Sequence, residues 1–234
     1  FYLWKFFKIS FYFQQLNTFL ERCFTDVLII LDTSASIRRS DIDSKFKPFL
    51  WRLVDDPRLR VSEKGCNIAF MSFNEEAIIR LPFKKHRNKS VYHKVINNNK
   101  KWFVPGGRTK TYLALKQANE TIFKRASPLN HRPDVNDVIV LITDGLPSKT
   151  RIQKDVYNYT VSLARSLKQK GIRIVGIGYS DFGKRLANSI KDISTRDEVI
   201  ITALDDIGMI VDRVIDGICP QPRLGKVLYF YNNI

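Results

Sequence analysis

Short runs of consecutive apolar residues alternate along this chain with longer stretches whose apolar positions recur every three or four residues. Asp26–Leu31 (DVLIIL), Asp137–Ile142 (DVIVLI) and Ile172–Ile177 (IRIVGI) are runs of the first kind. Such strands stay apolar on both sides because both faces of their sheet are covered. Asn67–Phe73 and Ala77–Leu81 predict two strands joined by a tight turn at Asn74-Glu75-Glu76, and Glu198–Thr202 predicts a last strand. Helical spacing appears over Ile37–Val54, where Ile37, Ile42, Phe46, Phe49, Leu50 and Leu53 share a face. It returns over Val91–Asn97, Thr111–Arg125, Asp155–Lys170, Lys184–Ile193 and Asp205–Ile218. Within Thr111–Arg125 the pattern turns Leu113, Leu115, Ala118 and Ile122 inward, with Thr109 or Thr111 near the N-cap. Gly171 is placed to close the helix that ends at Lys170. Buried strands alternating with helices predict an α/β fold, a doubly wound and mostly parallel sheet with helices on both faces. The hairpin adds one antiparallel edge strand.

These elements account for residues 23–219, a span suited to one α/β domain within the 234-residue chain. Residues 1–22 form an aromatic-rich extension, and residues 220–234, opening with Pro220-Gln221-Pro222, read as a linker or tail. Lys5, Lys8, Gln14 and Gln15 break the extension too often for a membrane-spanning helix. Three readings of it stand side by side: a signal or anchor remnant, a piece of a preceding domain, and a mis-predicted exon.

Charge changes the picture next. The formal net charge is +16, and no acidic residue lies between Ala77 and Asn119. That interval holds Lys84, Lys85, Arg87, Lys89, Lys100 and Lys101, besides further basic residues. A solvated basic face is one reading; a patch that steers acidic ligands is the other. Basic residues without regular aromatic interleaving disfavour nucleic acid and leave a sulfated glycosaminoglycan as the polyanionic partner class.

Of the three cysteines, no pair has C-x-x-C spacing. Cys23 and Cys219 bracket the domain, and a bridge between them predicts an oxidising, extracellular setting. Closing so long a loop stabilises by roughly 4–5 kcal/mol in the chain-entropy description. Cys66, at the head of a strand, is expected as a buried small hydrophobe.

Candidate chemistry sits in three loops: Asp32-Thr33-Ser34-Ala35-Ser36, Gly106-Gly107-Arg108-Thr109-Lys110-Thr111 and Thr143-Asp144-Gly145. Two of them follow buried strands directly, and the third opens a helix. Open α/β sheets bind ligands beyond the carboxyl ends of their strands. Carboxylates and hydroxyls are hard donors suited to Mg²⁺ or Mn²⁺. The structural alternatives are helix capping for the serines and a turn role for Asp144.

The segments DVLIILDTSASI, GGRTKTYLAL and VIVLITDG resemble the von Willebrand factor type A domain and its metal-ion-dependent adhesion site. The resemblance covers about Cys23 to Cys219, and within it GGRTKT and RPDVNDVIVLITDG look most like the matrilins and A-domain collagens. It implies metal ligation by Asp32, Ser34, Ser36, Thr109 and Asp144. An Asp or Glu of an extracellular matrix or cell-surface protein would complete the coordination. Tyr112 departs from the Gly that many members carry there. Two enzymatic readings are weaker. An aspartic protease needs a second Asp-Thr-Ser/Gly loop, and Thr143-Asp144-Gly145 is scrambled. A haloacid-dehalogenase-type phosphatase needs Asp where Ser34 stands. The sequence therefore predicts a non-enzymatic adhesion module, with polyanion binding through the basic stretch as the alternative.

Overall fold

The computed structural model describes residues 23–62, 64–83, 88–97, 103–124, 132, 134–145, 147, 155–179 and 184–220. Residues 1–22 and 221–234 lie outside the described residues, as do Lys84, Lys85, Arg87, Lys100 and Lys101.

Six strands form one sheet: β1 (Thr25–Asp32), β2 (Asn67–Phe73), β3 (Ala77–Leu81), β4 (Asn136–Thr143), β5 (Arg173–Tyr179) and β6 (Val199–Thr202), in the order β3-β2-β1-β4-β5-β6. All neighbours are parallel except β2 and β3, so the hairpin supplies the antiparallel edge. The order reverses between β1 and its two partners, and that switch point is where this topology leaves a crevice.

The two-residue period of a strand divides the core into two layers. Val27, Ile29 and Leu31 of β1 and Val138, Val140 and Ile142 of β4 face one layer. Against them lie α1 (Lys47–Asp55), α2 (Lys89–Asn97) and α6 (Val211–Ile218), through residues such as Phe49, Leu53, Tyr92, Val214 and Ile218. Leu28, Ile30, Ile139 and Leu141 face the other layer. There they meet α3 (Thr111–Gln117), α4 (Val156–Gln169) and α5 (Lys184–Ile193), through Ala114, Leu115, Leu163, Leu167 and Ile193. Among the described residues, no helix is long and apolar enough to cross a membrane.

Several elements differ locally from the sequence pattern. The helix expected from Ile37 starts at Arg39 and passes through a π-helical turn at Ile42–Phe46 before α1. That wider turn keeps both Ile42 and Phe46 buried. The helix from Thr111 likewise widens to a π-helical turn at Ala118–Ile122, and it buries Ala114 where Leu113 was expected. Its N-cap is Lys110, with no side-chain capping bond of its own, and Thr109 and Thr111 flank it as the pattern predicts. The segment expected as one helix from Asp205 begins as a 3₁₀ stretch, Leu204–Ile210, and only then becomes α6. Here Arg52 Nη1 donates to the Gly208 carbonyl at 2.6 Å, holding the stretch against α1. Gly171 ends α4 with φ of 85°, as its position after Lys170 predicts.

At the end of the sheet where β1 begins, charge is buried on purpose-built partners. Asp26 is 0 % exposed and receives 2.7 Å bonds from both the backbone and Nε of Arg132. The same guanidinium reaches the carbonyls of Thr25 and Gly65 and lies over the Phe24 ring. Asp137 stands directly across from Asp26 in the β1–β4 pairing. Burial and the Asp26 charge push it up to about 7, partly offset by Arg132.

Candidate metal centre

The three loops meet at the carboxyl end of the sheet. β1 delivers Asp32 as its last residue, and β4 delivers Thr143 as its last, one step beyond the Leu31–Ile142 pair. The first loop then leaves the sheet, while the second is laced to it through the main chain. Gly106 N donates to the Thr33 carbonyl at 2.9 Å, and Ala35 N donates to the Gly107 carbonyl at 3.0 Å. Thr33 is fixed in turn by two bonds to the Phe73 carbonyl, from its backbone N–H at 2.8 Å and its Oγ1 at 3.0 Å. Gly107 has φ of 70°, and a Cβ there would fall 2.6 Å from Glu75 Cγ. Only glycine satisfies both demands. Glu75, on the β2–β3 turn, accepts from Arg108 N at 3.0 Å and pairs with Lys110, so it clasps the second loop from outside.

Each Asp32 carboxylate oxygen has its own donor. Ser34 N donates to Oδ1 at 2.8 Å and Thr143 Oγ1 to Oδ2 at 2.6 Å. Ser34 and Ser36 place their hydroxyls 3.1 Å apart. Neither serine caps a helix, because the following helical turn has Arg38 at its N-cap. Thr109, almost wholly buried, sets its Oγ1 about 3.3 Å from where a Cβ on Gly145 would lie, so the second and third loops are in contact. Asp144 sits beside them, hydrogen-bonded by Ser36.

Two carboxylates held this close and this dry resist ionisation. Burial pushes the Asp32 carboxyl up to about 7; the Thr143 hydrogen bond opposes that rise and the Asp144 charge adds to it. Burial also raises Asp144, against the Ser36 bond. Asp144 Oδ1 and Thr111 Oγ1 are buried without a hydrogen-bond partner among the described residues. Buried polar atoms are normally paired, so the Asp144 oxygen is available to a bound ion or water. Hard oxygen donors around two reluctant carboxylates fit a divalent cation.

The structure thus brings Asp32, Ser34, Ser36, Thr109 and Asp144 to one edge. Thr143 and Thr111 are additions to that set, and both lie inside the motifs already visible in the sequence. Of Lys84, Lys85, Arg87, Lys89, Lys100 and Lys101, only Lys89 lies among the described residues. Lys89 Nζ bonds the Asp55 carbonyl at the far end of α1, and Lys110 pairs with Glu75. Elsewhere, Cys23 and Cys219 are joined, with Cα atoms 5.5 Å apart, and Cys66 is free and buried.

Comparison with known proteins places this geometry in context. The thrombospondin-related anonymous protein of Plasmodium falciparum is 26% identical over 153 residues, 65% of this chain and 25% of that protein. The chain therefore spans about a quarter of the curated relative it matches. Among solved structures, proximal thread matrix protein 1 of the mussel byssus superposes with a TM-score of 0.71 at 22% identity, covering 85% of this chain and 49% of the other. A further structure of that protein has its MIDAS motif occupied by zinc. The manganese-loaded Plasmodium vivax TRAP protein superposes with a TM-score of 0.64 at 19% identity, covering 84% and 74%. The sequence profile of the von Willebrand factor type A domain matches residues 26–211, and the chain belongs to that family.

Proposed function

We propose that this domain is an extracellular adhesion module that binds an acidic side chain of a matrix or cell-surface protein through a divalent cation, Mg²⁺ or Mn²⁺. The observation that supports the reading is that Asp32, Ser34, Ser36, Thr109 and Asp144 lie at one edge of the sheet, with the Ser34 and Ser36 hydroxyls 3.1 Å apart and Ser36 hydrogen-bonded to Asp144. Ser34, Ser36 and Thr109 would hold the ion through their hydroxyls, with Asp32 and Asp144 supplying the balancing charge. The ion, when bound, would offer an electrophilic coordination position to a partner carboxylate. The chain's own part is to fix the donors beforehand. Thr143 and the Ser34 amide orient Asp32, and the main-chain lacing of the first two loops removes their freedom to separate. Zinc in the mussel protein and manganese in the Plasmodium vivax protein support a divalent ion. The all-oxygen donor set favours Mg²⁺ or Mn²⁺ over softer ions.

Calorimetric titration of the chain with Mn²⁺ tests the site, and capture on matrix proteins and heparin, with and without chelator, tests the partner. Chelator-sensitive capture by a protein, lost with Asp144→Ala, is the expected result. Heparin capture that ignores chelator and Asp144→Ala would replace this reading with polyanion binding through the basic stretch.

A further inference from the structure

The three cysteines, scattered in sequence, form one sulfur cluster. β1 and β2 run parallel with Asp26 opposite Asn67, which sets the residues just before each strand side by side. Cys66 Sγ lies 2.7 Å from Cys23 Sγ and 3.6 Å from the Cys23 carbonyl. All three Sγ atoms lie within 4.8 Å of one another. Cys66 is 0 % exposed, so its thiol is held against one sulfur of the bridge and against little else that reacts.

We propose that this cluster is a site of intramolecular thiol–disulfide exchange, in which the bridge moves from Cys23–Cys219 to Cys23–Cys66. The Cys66 thiolate attacks Cys23 Sγ, and a Cys66–Cys23 bond forms as the Cys23–Cys219 bond breaks. The electron pair leaves on Cys219 Sγ, which takes up a proton in place of the one Cys66 lost. One bridge and one thiol exist before and after, so no outside oxidant or reductant is required. Of the two bridge sulfurs, Cys23 is the one attacked, because it touches Cys66.

The two isomers differ in what they restrain. The first bridge spans 196 residues and ties the end of α6 to the start of β1. The second spans the heads of two neighbouring strands that the sheet already holds together. Exchange therefore releases Cys219 and leaves α6 held only by noncovalent packing, through Val211, Val214, Ile215 and Ile218. A cavity of about 340 Å³, lined in part by Cys23, Arg173, Ile218, Cys219 and Pro220, opens beside the bridge and gives the freed thiol access to solvent.

The fold also restrains the reaction. Burial pushes the Cys66 thiol up to about 12; the Arg132 charge pulls it down and the Asp26 charge pushes it further up. The thiolate is the nucleophile, so exchange is slow in the closed structure. It quickens when the start of β1 loosens and Cys66 meets water.

The test uses the intact chain. Samples incubated without added thiol at pH 8.5, in buffer and in sub-denaturing urea, are quenched in acid, unfolded, alkylated with N-ethylmaleimide and mapped by mass spectrometry. Label moving from Cys66 to Cys219, with a Cys23–Cys66 peptide appearing in step, is the expected result. Cys66→Ser should yield no label at all, before or after incubation. Label that stays wholly on Cys66 in both buffers would overturn the proposal. Cys219→Ser gives a second reading: a folded variant incubated with oxidised glutathione as the oxidant should form Cys23–Cys66, and two free or merely glutathionylated thiols in it would equally overturn the proposal. If that variant does not fold, the wild-type map decides alone.

Discussion

Thr143 donates its hydroxyl to Asp32 across the β1–β4 boundary at 2.6 Å, although the two residues stand 111 positions apart. Together with the Ser34 amide, this bond holds the carboxylate in one orientation. Removing it without removing volume, as in Thr143→Val, should weaken Mn²⁺ binding by roughly 10–100-fold, the usual effect of losing a partner that orients a ligand. The far-ultraviolet spectrum and melting temperature should change little. Unaltered Mn²⁺ affinity in a calorimetric titration would show that Asp32 does not need the bond.

Asp144→Ala should abolish chelator-sensitive capture while shifting metal-free stability by less than about 1 kcal/mol. Its side chain lies at the open edge of the sheet, and one of its oxygens has no partner among the described residues, so truncation breaks few contacts. Burial already raises its pKa, so losing the charge removes a mildly unfavourable group. A melting temperature many degrees lower in metal-free buffer would make Asp144 structural instead.

The pH dependence of cation binding follows from Asp32. A cation needs the ionised carboxylate, and the metal-free group is raised to about 7. Protons therefore compete throughout the range below neutrality, where an ordinary aspartate would already be ionised. Mn²⁺ affinity should fall by about tenfold for each pH unit below 7 and level off above it. A titration series from pH 5.5 to 8 that showed no slope would contradict this.

Asp137 gives the corresponding prediction for stability. Its folded pKa, about 7, exceeds the ordinary aspartate value of 3.8, so the folded state binds the proton more tightly. Stability from this group is complete below the unfolded pKa and is lost as pH rises through 7. Asp137→Asn should leave stability near pH 4 unchanged and raise it at pH 8. After allowance for solvent screening the gain is about 1–2 kcal/mol, or a few degrees in melting temperature. Equal melting temperatures at pH 8 would show that Arg132 already compensates the charge.

The basic residues make a separable prediction about rates. Reversing Lys84, Lys85 and Lys89 should lower the association rate for an acidic partner and flatten its salt dependence, since exposed charges act at long range and are screened within about 8 Å. Asp32→Ala should instead speed dissociation. Surface-plasmon measurements across a salt series distinguish the two. Binding that survives Asp32→Ala but not the charge reversals would assign recognition to the basic surface.

Much of this was legible in the sequence because the strands are apolar on both faces, as only central parallel strands are. Asn67–Phe73 and Ala77–Leu81 matched the observed strands at both ends, since a three-residue turn leaves little freedom in register. Two of the loops were visible for a similar reason, a polar cluster that stops an apolar run abruptly, and the third by its glycine turn at the head of a helix. What the pattern did not carry was contact between distant segments. The role of Thr143 depends on β1 and β4 being neighbours, a fact of strand order with no local signature. The π-helical turns at Ile42–Phe46 and Ala118–Ile122 escaped because a periodicity of 3.6 absorbs one extra residue without an obvious break. Cys66 was expected to be buried, but its place against Cys23 follows from the parallel β1–β2 register, which no single run of residues encodes.

The clasp between the first and last turns of the domain also has a mechanical meaning. Tension applied to the chain on its two sides crosses from Cys23 to Cys219 over a Cα separation of 5.5 Å, bypassing the sheet. The strands that carry Asp32 and Thr143 then bear none of the load, and the oxygen cluster at their ends keeps its shape while the chain is pulled. Were the bridge shifted to Cys66, the same pull would fall first on α6, which would peel away from the sheet before any strand parted.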